Sequence, residues 1–439
     1  VTDPSQWSFD HAGGIIVINH PEKGAWYWSP ITATGTIAPL IYSEADIPNT
    51  GDPQRLWDTA NKKFAKIIRV HKNFIFMLNL IEDTTFMQDG FRWSHPFAPN
   101  ALPVTWDETS QFHLAGIANL GASTGFIIDG HTLRDSFIIY SSEATNALDA
   151  TGDELVWRRR QISGSTGLLS KDCIVEVNGV HAFIANNGAV LNDGSQLKHI
   201  MDNRVRKSFI SKLSPTDYKN SFAVKNVRER EIWFCIPTVD NAMGFCDLAY
   251  IWNYNDDTWS VRDLPYTTSH ATYGSRRSQT DFYTWTSLNI PSPKKWSDMV
   301  DPWYSVSTPF DDTIIGTSID TAIYDLNTDV NRVPSGLGSI LNTFIERTNY
   351  ALEGQVAATT LVSILPYITG GPVRIRMGSH KMKGAPVVWD SWKEFDPATQ
   401  RKLSVRTTGT LHAWQIESIG DNSFSFSGFD IEYSMAGLR

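Results

Sequence analysis

Cysteine is nearly absent: Cys173, Cys235 and Cys246 are the three in 439 residues. So sparse and odd a set excludes the disulfide framework of a small secreted domain and points to buried thiols, with room for one bridge at most. Charged side chains make up 19% of the chain, below the quarter or so usual in soluble domains, and no apolar run approaches the roughly 18 residues of a membrane span. The longest apolar stretches, such as Ile15–Ile18 and Phe74–Leu78, are strand-sized, which predicts a soluble protein. The chain opens at Val1 with neither a Met nor a charged-then-apolar leader, so no signal peptide is visible and localisation is not legible at that end. The H-E-x-x-H, C-x-x-C, P-loop and G-x-G-x-x-G patterns are missing as well, which leaves metal, redox and nucleotide chemistry without a handle and predicts no cofactor. Positive charge is also in deficit. Lys and Arg number 38 against 47 Asp and Glu, a net charge of −9, and a phosphate backbone repels such a chain rather than condensing it.

Aromatic residues, by contrast, are abundant, with 16 Trp, 14 Tyr and 22 Phe. They argue for aromatic-rich packing in a folded chain and against disorder. The length allows about three domains, or one large β domain with a smaller one. Period-2 segments bounded by turn residues dominate. Gly14–Asn19 and Ala25–Trp28 flank Pro21–Gly24, and Phe64–His71 and Phe74–Leu80 flank Lys72-Asn73. Ile174–Val177, His181–Ala185 and Ala189–Leu191, separated by Asn178-Gly179 and Asn187-Gly188, read as a meander with tight hairpin turns. Ser221–Asn226, Glu231–Ile236, Leu248–Tyr254 and Thr258–Asp263 are four strands in succession, the size of one propeller blade.

Helical spacing is rare, and its best instance runs from an Asp202 N-cap to Leu213. Residues Thr267–Pro309 read as a long Pro- and Ser-containing loop carrying Arg276-Arg277 and Lys294-Lys295, a length that marks a functional insertion. A Gly/Ser break at Ser335–Gly338 precedes new alternation at Leu361–Ile364, Val373–Met377, Val405–Thr407, Ala413–Glu417 and Phe429–Tyr433, enough for a separate β-sandwich. The expected fold is therefore all-β: residues 1–334 a β-propeller-like domain with a loop insertion at about 267–309, and residues 335–439 a β-sandwich.

Candidate chemistry is thin. Gly121-Ala122-Ser123-Thr124-Gly125 matches the G-x-S-x-G nucleophile elbow, but Phe126–Gly130 behind it reads as strand and turn rather than helix. Asp325–Asn331 has calcium-loop oxygens without the central Gly or the closing Glu. Asp256-Asp257 and Asp311-Asp312 are adjacent carboxylates in apparent turns, whereas glycoside hydrolysis needs two facing each other across a substrate. These contexts predict no catalysis. Basic residues cluster at Arg158-Arg159-Arg160, at Lys198, Arg204, Arg206, Lys207 and Lys212, and at Arg228 and Arg230. On an acidic chain they read first as solvated faces or subunit salt bridges, and second as phosphate contacts. The tryptophans read as core or interface before they read as a sugar platform.

An ordered series of segments resembles the tail hub or nozzle proteins of short-tailed bacteriophages. It begins at Phe91-Arg92-Trp93-Ser94-His95-Pro96, Ala101-Leu102-Pro103 and Trp106-Asp107. It continues through Gly167-Leu168-Leu169, Val175–Gly179, Asn192-Asp193-Gly194, Arg204-Val205-Arg206, Glu231–Cys235 and Ala249–Tyr254 to Arg262–Pro265. Phe344–Thr348, Phe395–Lys402, Ser427–Asp430 and Ala436-Gly437 resemble the family's sandwich. The resemblance implies a non-catalytic virion part: a propeller plus a sandwich platform, six copies ringed below the portal and adaptor. Such a ring continues the channel for packaged double-stranded DNA, which it passes without sequence-specific binding, and its further partners are tail fibre, spike or needle proteins. Family members carry more residues ahead of Trp7–Asp10, so the resemblance implies that part of the platform lies outside this chain, and Thr267–Pro309 matches weakly. Arg276, Arg277, Lys294, Lys295 and Arg158–Arg160 are then candidate channel or subunit-interface contacts, with the insertion as a channel gate or distal tip. Two other classes stay open: a carbohydrate-binding propeller and a glycan-cleaving tailspike.

Overall fold

The computed structural model describes residues 7–30, 37–43, 55–57, 63–82, 85–108, 112–121, 124–152, 156–277, 310–318, 323–326, 343–352, 357–420 and 424–438. The fold is all-β, with one α-helix among the described residues. Contacts divide the chain into two compact units, Val1–Leu326 and Asn327–Arg439.

The first unit is propeller-like: a succession of antiparallel up-and-down sheets, each built from consecutive strands. The first sheet comprises Ser8–Ala12, Ile15–His20, Gly24–Trp28 and Ala38–Pro39; the second, Lys63–His71, Phe74–Glu82, Thr85–Trp93 and Gly116–Asn119. The third comprises Ile127–Leu133, Ser136–Ser141, Thr145–Ala150 and Trp157–Ser163; the fourth, Ile174–Val177, Val180–Ala185, Gly188–Asn192 and Leu197–His199. Turn chemistry sets these hairpins. Asn178 (φ 53°) and Gly179 (φ 72°) both take the left-handed region that a two-residue hairpin demands. In the next hairpin the turn is Asn186-Asn187, and Gly188 (φ 120°) takes the positive angle as the first strand residue rather than within the turn.

The fifth sheet exceeds the four strands legible in the sequence. Phe222–Asn226, Glu231–Ile236 and Cys246–Asn253 lead into a 20-residue strand, Thr258–Arg277, followed by Phe310–Ser318 and Ile323–Asp325. The reading of Thr267–Arg277 as loop is thus corrected. Its β-branched and aromatic residues, among them Thr268, Thr272 and Tyr273, continue the strand past a register shift, and their new partner lies far along the chain at Phe310–Ser318. A ladder to so distant a segment leaves no local turn signal. The remainder of that insertion, residues 278–309, lies outside the described residues.

The helix is Asn203–Lys212, and the Asp202 side chain caps it by accepting from the amides of Arg204 and Val205. Phe209 anchors it edge-on against Tyr250 of the fifth sheet at 5.5 Å. Layered apolar faces between successive sheets form the core, with Trp57, Trp106 and Trp233 fully buried. Trp57 and Trp106 meet edge to face at 5.0 Å.

The second unit is a β-sandwich. One sheet has the order Phe344–Tyr350, Leu411–Ser418, Val373–His380, with Val388–Trp389 and Lys393–Phe395 along its far side; the other is Leu403–Gly409, Ala357–Gly370, Phe424–Leu438. Leu361, Ile364, Ile375, Met377, Phe395, Trp414 and Ile416 fill the space between them.

Two substitutions check these local arguments by urea denaturation. Asp202→Ala removes the cap and should cost about 1 kcal/mol. Gly167→Ala should cost more, about 3 kcal/mol, because a Cβ there would lie 2.2 Å from the Ser141 carbonyl oxygen, a backbone atom with little room to retreat.

Candidate functional site

A propeller-like unit brings the first strands of its sheets together, and that is where a ligand site is sought. Here the meeting point holds a buried ion pair. Arg69 stands in an apolar strand, Phe64-Ala65-Lys66-Ile67-Ile68-Arg69-Val70, and Asp129 stands on the first strand of the third sheet. Their contact is bidentate: Nε donates to Asp129 Oδ1 at 2.8 Å and Nη2 to Oδ2 at 2.8 Å. The Arg69 side chain is 6% exposed and that of Asp129 is 0% exposed.

The first, fourth and fifth sheets also contribute to this centre. From the first, the Phe9 carbonyl accepts from Arg69 Nη1 at 3.2 Å, Ser8 Oγ accepts the Ile68 amide, and Asp10 Oδ2 accepts the Val70 amide at 2.8 Å. Asp172, at the entrance to the fourth, lies 3.6 Å from Arg69 Nη2. The Asp172 carbonyl accepts the Ala223 amide of the fifth at 2.9 Å. Lys171 donates to the Trp7 carbonyl and lies 3.4 Å from the Asp172 carboxylate. Burial by itself would discharge both members of the central pair. The pairing outweighs it: Arg69 is held above its ordinary range by Asp129, Asp172 and Asp10, and Asp129 well below its own by Arg69 and His131.

Around the pair runs a neutral network. Asn192 Nδ2 donates to Tyr140 Oη, the Tyr140 hydroxyl to His181 Nδ1, and His181 Nε2 to the Thr132 carbonyl, each at 2.9 Å. His71 Nε2 donates to the Asp135 carbonyl and Nδ1 accepts from Thr132 Oγ1. Burial, then the neighbouring charge of Lys72, lowers His71 to about 4; burial, then His131, lowers His181 to about 3. The three thiols lie buried in the same unit, their pKa values pushed up by burial. Among the described residues, no three His, Cys, Asp or Glu side chains gather as a metal would need.

This centre was not visible in the sequence, where Asp129-Gly130 looked like the end of a strand. It lies inside the strand Ile127–Leu133, past a bulge between Ile127 and Asp129 that turns the carboxylate inward. The available signal was Arg69, a cation amid apolar neighbours on a strand.

The basic candidates separate. Arg158, Arg159 and Arg160 share the exposed outermost strand of the third sheet. Arg159 donates to the Leu120 carbonyl of the second sheet; Arg160 reaches the Gly194 carbonyl of the fourth at 2.8 Å and Asp149 at 3.2 Å. Arg276 and Arg277 continue the long strand, in register with Asp311 and Phe310. Lys294, Lys295 and Ser123 lie outside the described residues. Asp256 and Asp257 occupy a hairpin turn, where Asp257 accepts from Trp252 Nε1. Asp311-Asp312, read as a turn, is strand.

No family model matches the chain, and no curated protein does. Among solved structures it is similar to Hsv2 of Kluyvelomyces marxianus (7% identity, 74% of this chain and 77% of that chain, TM-score 0.36). It is also similar to the N-terminal domain of Nup159 (9%, 73% and 74%, 0.37) and to an exo-beta-1,3-galactanase from Phanerochaete chrysosporium (11%, 97% and 95%, 0.29). Likeness at this level carries no argument, and the architecture rests on the sheet topology above.

Truncating one partner of the ion pair strands the other. Arg69→Ala or Asp129→Ala should each cost about 3–5 kcal/mol, and Arg69→Met with Asp129→Leu less than the sum, read from urea midpoints. Acid should also destabilise the unit. His71 and His181 take up protons near pH 6.5 when unfolded and only near 4 and 3 when folded, so stability falls as pH drops from about 6.5 towards 4. Melting temperatures across that range should decline, and His71→Asn with His181→Gln should flatten the decline.

Proposed function

We propose that the chain is a non-catalytic structural subunit of a short phage tail, a ring component that continues the DNA channel and takes part in genome retention and ejection. The observation that carries the non-catalytic half is the paired centre. Where the inner strands meet and a ligand would be sought, Arg69 and Asp129 are buried and engaged with one another, which withholds the Asp129 carboxylate from acid–base work on a substrate. The virion half rests on the ordered resemblance from Phe91 to Gly437, and the all-β division into two units accords with it. In this reading the partners are copies of itself, portal and adaptor proteins, and fibre, spike or needle proteins. The ribbon Thr258–Arg277 with Phe310–Ser318, and residues 278–309 between them with Lys294 and Lys295, serve the channel gate or distal tip. A glycan-binding reading has less support: the Trp389 and Trp392 rings on the sandwich are stacked by Arg376, with Arg374 also over Trp392, at 4.4–5.0 Å.

An antibody to the chain, applied to particles from the lysate that contains it, should label the tail, and mass measurement of that tail should give six copies. Absence from particles, another copy number, or turnover of surface glycan by the purified chain would contradict the reading. Within assembled particles, Arg276→Glu with Arg277→Glu should alter DNA retention with the ring intact if these residues meet phosphate. A ring that falls apart at lower salt would assign them to a subunit contact instead.

A further inference from the structure

Among the strands that end their sheets in the described residues, two carry paired charges along a side with no paired strand. Trp157–Ser163 closes the third sheet and pairs only with Thr145–Ala150; Phe424–Leu438 closes a sheet of the sandwich and pairs only with Ala357–Gly370. An open edge is a template for another strand, and its side chains decide which strands it accepts. The two edges carry opposite charge at the same spacing. Arg158 and Arg160 project from one face of the first strand, and Asp430 and Glu432 occupy alternate, exposed positions of the second, where Asp430 accepts from Tyr367 Oη and Glu432 from Lys402 Nζ and Ser363 Oγ. Two residues along a strand span about 6.6 Å on either edge, so an Arg pair can face a carboxylate pair without a register change. Arg160 is held in place by Asp149 and the Gly194 carbonyl, which lowers the entropy lost on docking.

We propose that the strand Trp157–Ser163 of one copy docks along Phe424–Leu438 of the next, Arg158 and Arg160 against Asp430 and Glu432. This names the self-contact of the ring proposed above and rests on that reading. Two physical constraints select the occupant. Three successive arginines repel their own image, so a two-fold contact that sets this strand against itself is unfavourable; the contact must join unlike surfaces, which is the kind that closes into rings. A nucleic acid would also match guanidinium groups; a second copy is favoured because it brings two carboxylates at the same two-residue spacing as the arginines.

The test is a charge swap in the whole chain, followed by sedimentation at low salt. Wild type should self-associate, and 0.5 M NaCl should weaken the association. Arg158→Glu with Arg160→Glu should weaken it tenfold or more, as should Asp430→Arg with Glu432→Arg, and the four changes together should restore it. Because Arg160 bonds Asp149 and Arg158 lies directly across the ladder from that same carboxylate, Arg158→Gln alone serves as the variant that sets no like charge beside Asp149, with an unchanged melting temperature and weakened association expected. A monomeric wild type, association indifferent to either set, or failure of the combined variant to recover would overturn the proposal. So would a double-stranded oligonucleotide that binds wild type and not Arg158→Gln. These outcomes are separate from tail labelling: a labelled tail with a failed swap refutes this contact alone.

Discussion

The structure of the first unit depends on a charge that burial opposes. Arg69 and Asp129 are nearly inaccessible to water, and removing two such ions from solvent costs several kcal/mol each unless they are paired and bonded on every side. The surroundings meet that condition. Asp129 also accepts the Gly130 amide, and Arg69 also reaches the Phe9 and Gly130 carbonyls. The same residues solve a second difficulty, since the inner edge of the strand Lys63–His71 has no ladder partner among the described residues. Ser8 and Asp10 take the amides of Ile68 and Val70, and Asn19 donates to the carbonyl of Ala65. One polar centre thus joins strands that form no sheet with one another.

That solution shapes what the protein can do. With the charges of this centre engaged internally, three exposed arginines of the first unit stand instead on an outermost strand, Trp157–Ser163. A strand of arginines at an edge also discourages indiscriminate pairing with other strands.

Much of the fold was legible because its signals are local. Alternation together with Lys72-Asn73 or Asn178-Gly179 specifies hairpins, and Asp202 ahead of the Val205, Phe209, Leu213 spacing specifies the helix. What was not legible depends on distance along the chain. The ladder between Thr268–Arg277 and Phe310–Ser318 has no turn of two residues to announce it. The Arg69–Asp129 contact joins residues on different sheets, and the bulge that aims Asp129 inward is a property of pairing with Ser136–Ser141, so Asp129-Gly130 looks like an ordinary turn when read alone.

If the polar centre binds the five sheets into one body, its amides should share one opening event. Hydrogen exchange of Ile68, Val70, Gly130, Asp172 and Ala223, all donors at or beside this centre, measures it directly. Exchange of all five with a single free energy equal to that of global unfolding is the expected result. Exchange of Ile68 and Val70 at a markedly lower free energy than Asp172 and Ala223 would show that the sheets open separately, and would contradict the account.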